Sequence, residues 1–319
     1  MKAGMNRIVC VGEAMVELSP HHGQWDLHYG GDTLNTALHL VRMGHHVAYL
    51  TALGGDPFAG RLRNAWGREG LDVSLVLSVS ERCTGIYAID IDEKGERSFS
   101  YWRGESAARR MFMAPGIGPA IEEASNASLL LFSLISLAIL PDEGRELLLQ
   151  IARKVRLGGG QFAFDANYRP RLWNSPEEAR RWRDRAASIA DFGLPSLQDE
   201  QLMGAEGTPH EIREYWQRCG CREVVLKMGE DGCMLHDGSI VETPLNMIPL
   251  DTSGAGDAFN AAYLSARLTG SEPEDAAMAG HRLAGWTAMR QGAIPPRDPA
   301  APYGVIQRDQ TRDGEGDPG

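Results

Sequence analysis

The sequence is short of cysteine and of long apolar runs. Its five cysteines are scattered and form no C-x-x-C pair; they are Cys10, Cys83, Cys219, Cys221 and Cys233. Scattered cysteines without metal-ligand spacing are typical of reduced thiols, so we predict a cytoplasmic protein without disulfides. The most apolar run, LLLFSLISLAIL at 129–140, is shorter than the ~20 residues of a membrane helix. We interpret it as a strand followed by a loop, and we expect no membrane contact.

Positive charge and the common nucleotide-binding motifs are scarce too. The 319 residues include 32 Lys and Arg against 43 Asp and Glu, a formal net charge of -11. This balance disfavours a general nucleic-acid binder, which presents a basic face. The sequence contains no G-x-x-x-x-G-K-[ST], which excludes a Walker A nucleoside triphosphatase. It has no G-x-G-x-x-G after its first strand pattern, which disfavours a dinucleotide-binding dehydrogenase.

What the chain does have is a regular alternation of strand and helix patterns. RIVCVG at 7–12 is typical of a buried strand, and TLNTALHLVRMG at 33–44 has its apolar residues at helical spacing. The alternation continues along the chain and predicts an α/β fold, with a mostly parallel central sheet and helices on both faces. We expect one domain over residues 1–296. Residues 297–319, rich in Pro, Gly and Asp, are expected to form a disordered tail.

One region interrupts this alternation. Apolar and polar residues alternate on either side of DEKGE at 92–96, which is typical of a β-hairpin. A second short strand pattern, AMVELSP, occupies 14–20. We predict that segments 13–30 and 75–113 form a small β-sheet inserted into the domain, where it serves as a lid.

The stretch DTSGAGDAFN at 251–260 places a Gly-Ala-Gly run directly before an acid and a helix pattern. Gly254, Ala255 and Gly256 can present backbone N–H groups at a helix N-terminus, an arrangement that binds phosphate. A carboxylate adds negative charge beside an anion site, which is explained if that carboxylate accepts a proton during the reaction. Asp257 is therefore a candidate base for a substrate hydroxyl. The alternative is an acidic residue favoured by the helix dipole alone.

Four motifs together resemble the ribokinase-like (PfkB) carbohydrate kinases over about residues 7–296. They are GGDTLNTA (30–37), LTALGGD (50–56), KMGEDG (227–232) and DTSGAGDAF (251–259). Three features further resemble 2-keto-3-deoxygluconate kinases: YWRGESAA (101–108), DANYRPRLW (165–173) and the Gly-Gly-Asp form of the first motif. Fructokinases share part of the second stretch. The resemblance implies a ribokinase-like fold. It also implies ATP-dependent phosphorylation of 2-keto-3-deoxygluconate to 2-keto-3-deoxy-6-phosphogluconate.

The resemblance implies a role for each matching residue. Asp257 is the catalytic base, and Gly254, Ala255 and Gly256 form the anion hole. The substrate is contacted by Gly31, Asp32, Asn35, Tyr87, Tyr101, Arg103 and Arg169. ATP is contacted by Asn167, Arg169, Lys227, Gly229 and Gly232.

For four of these residues an ordinary structural role is the alternative. Arg103 and Arg169 suit a sugar acid, because a guanidinium can bind a carboxylate through two hydrogen bonds. The alternative interpretation is that both are ordinary surface arginines. The alternative for Tyr87 is a residue that packs within the sheet. The alternative for Asn35 is a polar residue in the first turn of a helix.

The resemblance also implies Mg²⁺ and, in many relatives, K⁺. The family often has an Asn-x-x-Glu segment near Mg²⁺, whereas PSLQDEQL at 195–202 has Ser196 in the place of the Asn. Asp199 and Glu200 are therefore the candidate metal ligands, since Mg²⁺ prefers carboxylate oxygens. Backbone carbonyls around Asp251 and Ser253 are the candidate ligands for K⁺.

The expected partners are a small sugar acid, ATP and further copies of the chain, with no nucleic acid or membrane. A homo-oligomer through the lid is expected, because lid strands in this family often pair between subunits and would otherwise leave open edges. Two other functions stay open. One is a fructokinase or another sugar kinase of the family. The other is a non-catalytic sugar- or nucleotide-binding regulator, which the intact Asp257 and Gly-Ala-Gly run disfavour.

Overall fold

The computed structural model describes residues 7–21, 24–91, 97–244 and 248–304. The strands are β1 (Arg7–Val11), β2 (Met15–His21), β3 (Gln24–Gly30), β4 (His46–Gly54), β5 (Val76–Val79), β6 (Ile86–Ile91), β7 (Arg97–Trp102), β8 (Leu129–Ser133), β9 (Gln161–Asp165), β10 (Phe192–Leu194), β11 (Glu223–Val224), β12 (Leu226–Lys227), β13 (Cys233–Met234) and β14 (Ile240–Val241). The α-helices are α1 (Asp32–Arg42), α2 (Pro57–Glu69), α3 (Ile117–Ser125), α4 (Leu134–Ala138), α5 (Asp142–Leu157), α6 (Pro176–Ala187), α7 (Leu197–Leu202), α8 (Pro209–Cys219), α9 (Ala255–Leu268) and α10 (Pro273–Ala288).

A seven-stranded parallel sheet forms the centre of the molecule, in the order β11-β10-β9-β8-β1-β4-β5. Side chains of β1 alternate between its faces: Ile8 and Cys10 pack in one hydrophobic cluster, and Val9 and Val11 in the other. All four are buried, because helices cover both faces of the sheet. The predicted fold class is confirmed. We call this sheet with its helices the body.

A separate four-stranded sheet has the order β3-β2-β6-β7, and we call it the lid. Two antiparallel hairpins, β2–β3 and β6–β7, meet through the parallel pair β2–β6. The predicted segment 75–113 is too wide at both ends. β5 pairs with the carboxyl end of β4 in the central sheet, and a 3-10 helix at Ala107–Met113 packs buried side chains into the body. The predicted hairpin turn at 92–96 lies outside the described residues.

The apolar segment 129–140 contains a strand followed by a helix, α4, rather than by a loop. Ser133 and Ser136 cap this helix reciprocally, each backbone N–H donating to the other's hydroxyl at 3.1 and 3.3 Å. The cap satisfies two polar groups in a buried setting, so a helix is favoured there. Within the described ranges, no helix is both long and apolar enough to cross a membrane.

Residues 297–304 of the expected disordered tail pack against the body. The Tyr303 hydroxyl lies 2.9 Å from Nδ1 of the buried His39, whose Nε2 lies 3.3 Å from the carbonyl oxygen of Ala293. A carbonyl can only accept, so Nε2 carries the proton and Nδ1 accepts from Tyr303. The remainder of the expected tail, 305–319, lies outside the described residues.

Candidate functional site

A cavity of about 2830 Å³ opens between the lid and the body. It lies where Glu13 follows β1 and Asp165 ends β9, at the carboxyl ends of parallel strands, where α/β sheets usually bind ligands. Its volume exceeds the ~300–1,000 Å³ of an ordinary single-ligand pocket. The predicted site residues that line it are Gly31, Asp32, Asn35, Tyr87, Tyr101, Arg103, Asn167, Arg169, Asp199, Lys227, Gly229, Gly232, Asp251, Ser253, Gly254, Ala255, Gly256 and Asp257. Glu200 does not line it.

The N-terminus of α9 forms part of the cavity wall. Gly254 precedes the helix with a φ of 71°, and an added Cβ would lie 2.5 Å from Cβ of Ala293. A side chain at this position would both strain the backbone and collide with its neighbour. The N–H of Ala255 donates to the Thr252 carbonyl at 3.2 Å. An anion would therefore be met mainly by the N–H groups of Gly256 and Asp257, which lie in the unpaired first turn.

Asp257 is buried beside this turn. Its Oδ2 accepts a hydrogen bond from Asn35 Nδ2 at 2.8 Å, and its carbonyl accepts one from the Thr36 hydroxyl at 3.3 Å. Burial, and then the charge of Asp32, raise the pKa of the Asp257 carboxyl to about 8, although the Asn35 hydrogen bond opposes the shift. A base with a pKa near neutral combines availability with proton affinity, which suits general base chemistry.

Two further groups of polar side chains lie near Asp257. Asn167 Nδ2 donates to Asp32 Oδ2 at 3.2 Å. The Lys227 ammonium lies 3.0 Å from Asp165 Oδ1 and 2.9 Å from Asn260 Oδ1. Asp165 ends a central strand and Asn260 lies on α9, so Lys227 joins these two elements. Lys227 is thereby fixed beside the predicted anion site.

The lid end of the cavity holds two buried carboxylates. Arg103 donates to Glu13 Oε2 through Nε at 2.7 Å and also through Nη2. The side chain of Glu13 is 0% exposed and that of Arg103 10%. The Tyr87 hydroxyl donates to Glu17 Oε2, and Tyr101 stacks beside the Tyr87 ring at 5.9 Å between centroids. The lid thus presents aromatic rings and one guanidinium to the body.

Arg169 and the two acidic metal candidates lie farther along the cavity. Arg169 donates to the Tyr168 carbonyl at 2.7 Å and lies 3.3 Å from Asp199 Oδ1, with half of its side chain exposed. Burial raises the pKa of Asp199 and the Arg169 charge opposes this. Glu200 points elsewhere: it forms a buried ion pair with Arg183 and accepts from Trp216 Nε1 at 3.0 Å. Its carboxylate is therefore a structural group of the body.

The chain is similar to known proteins over most of its length. The model of the pfkB family of carbohydrate kinases matches residues 5–300 of the chain. The chain belongs to the PfkB family. It is 38% identical over 302 residues to the 2-dehydro-3-deoxygluconokinase of Escherichia coli K12, covering 92% of this chain and 98% of that protein.

Two solved structures show the same PfkB fold. The structure of a 2-dehydro-3-deoxygluconokinase from Thermotoga maritima has a TM-score of 0.80 at 21% identity, covering 91% of this chain and 96% of the other. The structure of a putative ribokinase II from Escherichia coli in complex with ATP and Mg²⁺ has a TM-score of 0.78 at 19% identity, covering 90% and 94%.

The two cation sites expected for a PfkB protein differ in how this chain could fill them. Among the described residues no group of three or more His, Cys, Asp or Glu side chains could hold a metal. A single carboxylate such as Asp199 still fits Mg²⁺ that arrives with phosphates and keeps water ligands. Asp251 is buried, and its two oxygens accept from the N–H groups of Ser253 at 2.9 Å and Gly292 at 2.7 Å. K⁺ binding at the carbonyls around it stays a prediction.

Four residues of the site were not identified from the sequence: Glu13, Glu17, Asp165 and Asn260. Glu13 directly follows the first strand motif, and Asp165 ends another strand and begins the quoted DANYRPRLW stretch. Position at the carboxyl end of a parallel strand was the signal that could have identified both. Glu17 and Asn260 gave no local signal, because their partners lie 70 and 33 residues away in the sequence.

Proposed function

We propose that this PfkB protein is an ATP-dependent sugar-acid kinase. Its proposed reaction converts 2-keto-3-deoxygluconate (2-dehydro-3-deoxygluconate) to 2-keto-3-deoxy-6-phosphogluconate. The single observation that carries the reaction type is Asp257, a buried carboxyl with a pKa of about 8 in the first turn of α9. The choice of substrate is supported by the 38% identical relative named for it.

The proposed chemistry needs two groups from α9. Asp257 accepts the proton of the acceptor hydroxyl, and Asn35 holds its carboxylate in position through a 2.8 Å hydrogen bond. The anion hole proposed at Gly254, Ala255 and Gly256 meets the charge of the transferred phosphoryl group, chiefly through the first-turn N–H groups of Gly256 and Asp257. Phosphoryl transfer depends mostly on positioning and charge stabilisation, which these fixed groups supply.

The nucleotide and the sugar are assigned to neighbouring parts of the cavity that share Arg169. ATP is assigned to Asn167, Arg169, Lys227, Gly229 and Gly232, and Mg²⁺, which would neutralise phosphate charge, to Asp199 through water. The sugar acid is assigned to Gly31, Asp32, Asn35, Tyr87, Tyr101, Arg103 and Arg169. Closure of the lid would exclude water and suppress ATP hydrolysis.

The test is an ADP-release assay with Mg²⁺-ATP across 2-keto-3-deoxygluconate, fructose, ribose and gluconate. We expect by far the highest kcat/KM for 2-keto-3-deoxygluconate. A preference for fructose or ribose would keep the kinase and refute the sugar-acid assignment. ATP binding without turnover on any of the four would favour the regulator instead.

One observation favours a fructokinase as the second candidate. Both arginines expected to meet a carboxylate already have acidic partners, Arg103 with Glu13 and Arg169 with Asp199. Each pair is close to neutral, which lowers its attraction for an anionic substrate. The fructose arm of the same assay separates the two candidates.

A further inference from the structure

Arg103 alone does not supply a net positive charge at the lid end of the cavity. A guanidinium whose Nε and Nη2 both contact one wholly buried carboxylate is largely neutralised. Glu13 also keeps Oε1 buried without a hydrogen-bond partner among the described residues. If the substrate is an acid, its carboxylate adds a further negative charge to this end of the cavity, and a cation other than Arg103 is needed to balance that charge.

Arg109 lines the same cavity and is half-buried. Burial lowers the pKa of its guanidinium and Glu13 raises it, while Arg103 lowers it again, so Arg109 lies within reach of both charges. Its side chain makes no hydrogen bond or ion pair with any residue in the described ranges. An arginine stays protonated at neutral pH despite such a shift. Arg109 is therefore the uncompensated positive charge beside the Glu13–Arg103 pair.

The backbone under Arg109 belongs to the body. The 3-10 helix at Ala107–Met113 buries Ala107, Ala108 and Met111. The N–H of Ala107 donates to the Cys83 carbonyl at 2.9 Å. Arg103, in contrast, follows directly after the lid strand β7. A cation on fixed backbone can be in place before the lid closes, which lowers the entropic cost of binding.

We propose that Arg109 is a specificity-determining residue that binds the carboxylate of the acid substrate, with Glu13 holding Arg103 alongside. This rests on the proposed function, because only an acid substrate brings a carboxylate to this end of the cavity. The other unpaired arginine on the described cavity wall, Arg171, is exposed beside Arg169 near the nucleotide end. Arg109 is therefore the more buried of these two arginines.

The test compares Arg109→Gln with Arg110→Gln. Arg110 is the exposed neighbour on the same 3-10 helix, it contacts Met113 and it does not line the cavity. Both variants remove one charge from one short helix. Losing a charge-assisted hydrogen bond predicts a fall of about 10- to 100-fold in kcat/KM for 2-keto-3-deoxygluconate in Arg109→Gln. We expect no such fall with fructose, and wild-type values for Arg110→Gln.

Arg109→Lys and melting temperatures complete the design. The lysine variant keeps the charge and is expected to recover most of the selectivity for the acid, at an unchanged melting temperature. Equal behaviour of Arg109→Gln and Arg110→Gln overturns the inference, as does an equal loss on both substrates. A wild-type enzyme that prefers fructose refutes the acid substrate itself, and that failure is visible before any variant is made.

Discussion

The body and the lid each contain a β-sheet, but the two sheets differ in how much of their surface is buried. The described strands of the central sheet are covered on both faces. The lid exposes large aromatic side chains, with Trp25 57% and Trp102 61% exposed. Groups proposed for chemistry stand on the body, as does Arg109, while the proposed substrate contacts Tyr87, Tyr101 and Arg103 stand on or next to the lid. Fixed geometry serves proton and phosphoryl transfer, whereas a cover must be able to open.

The two regions also differ in how they manage charge. On the body, burial and then the charge of nearby Asp32 raise the pKa of the Asp257 carboxyl. At the lid, Glu13 on the body side neutralises Arg103 on the lid side. Burial together with a neighbouring like charge makes Asp257 a better proton acceptor, whereas opposite charges make a contact between the lid and the body.

Replacing the base should give the largest effect and would test whether the chemistry belongs to the body alone. In Asp257→Asn we expect kcat to fall about 10²- to 10⁴-fold, the usual contribution of a positioned base. ATP binding, measured by calorimetry, should be retained, because the fold and the first-turn N–H groups remain. Turnover within tenfold of wild type would remove Asp257 from the role of base.

The pH dependence sharpens the same point. Asp257 accepts a proton only when ionised, so kcat/KM should rise with pH and level off above about 8. Its folded pKa lies above the ordinary value of 3.8, so its contribution to stability is present at low pH and is lost as pH rises from about 4 to about 8. Asp257→Asn should therefore lose less melting temperature than wild type between pH 5 and pH 8. A flat activity profile across pH 6–9 would contradict the shift.

A second body variant separates backbone strain from catalysis. Gly254→Ala places a side chain at positive φ against Ala293 and should lower both the melting temperature and kcat. Gly270→Ala is the matched control, since Gly270 follows α9 with a φ of 91° and open space around it. Each should lose about 1–2 kcal/mol from backbone strain, but Gly270→Ala should keep wild-type kcat. An equal kcat in both variants would remove Gly254 from the anion hole.

The smallest effect on turnover is expected at the lid. We propose a homo-oligomer through its exposed aromatic face and open edges. In Trp102→Ser we expect the dissociation constant from sedimentation to rise about tenfold, because interface tryptophans often contribute more than 1 kcal/mol. Leu157→Ser, at an 88% exposed leucine ending α5 on the body, is the control and should not change it. A wild-type chain that stays monomeric at high concentration would refute the proposal.

The same contrast explains what could be predicted from the sequence. The alternation of β1, α1 and β4 could be predicted because it depends on the local spacing of apolar residues. The Gly-Ala-Gly run predicts the start of α9 to within two residues. The prediction placed β5 in the lid, because the sequence of a four-residue strand does not indicate which sheet the strand joins. The roles of Glu13 and Glu200 depend on Arg103 and Arg183, partners that lie 90 and 17 residues away. Such pairings exist only after folding.

The segment at Gly292 and Ala293 covers Gly254, and its late position in the chain has a consequence for folding during synthesis. Gly292 donates to Asp251 and Ala293 closes over Gly254, while His39 and Tyr303 hold this segment to α1. In chain order it is the last described wall of the cavity to leave the ribosome. The lid, the central strands and α9 are all synthesised before it. A growing polypeptide therefore carries the N-terminus of α9 uncovered, and the completed cavity wall is the last part of the candidate site to be assembled.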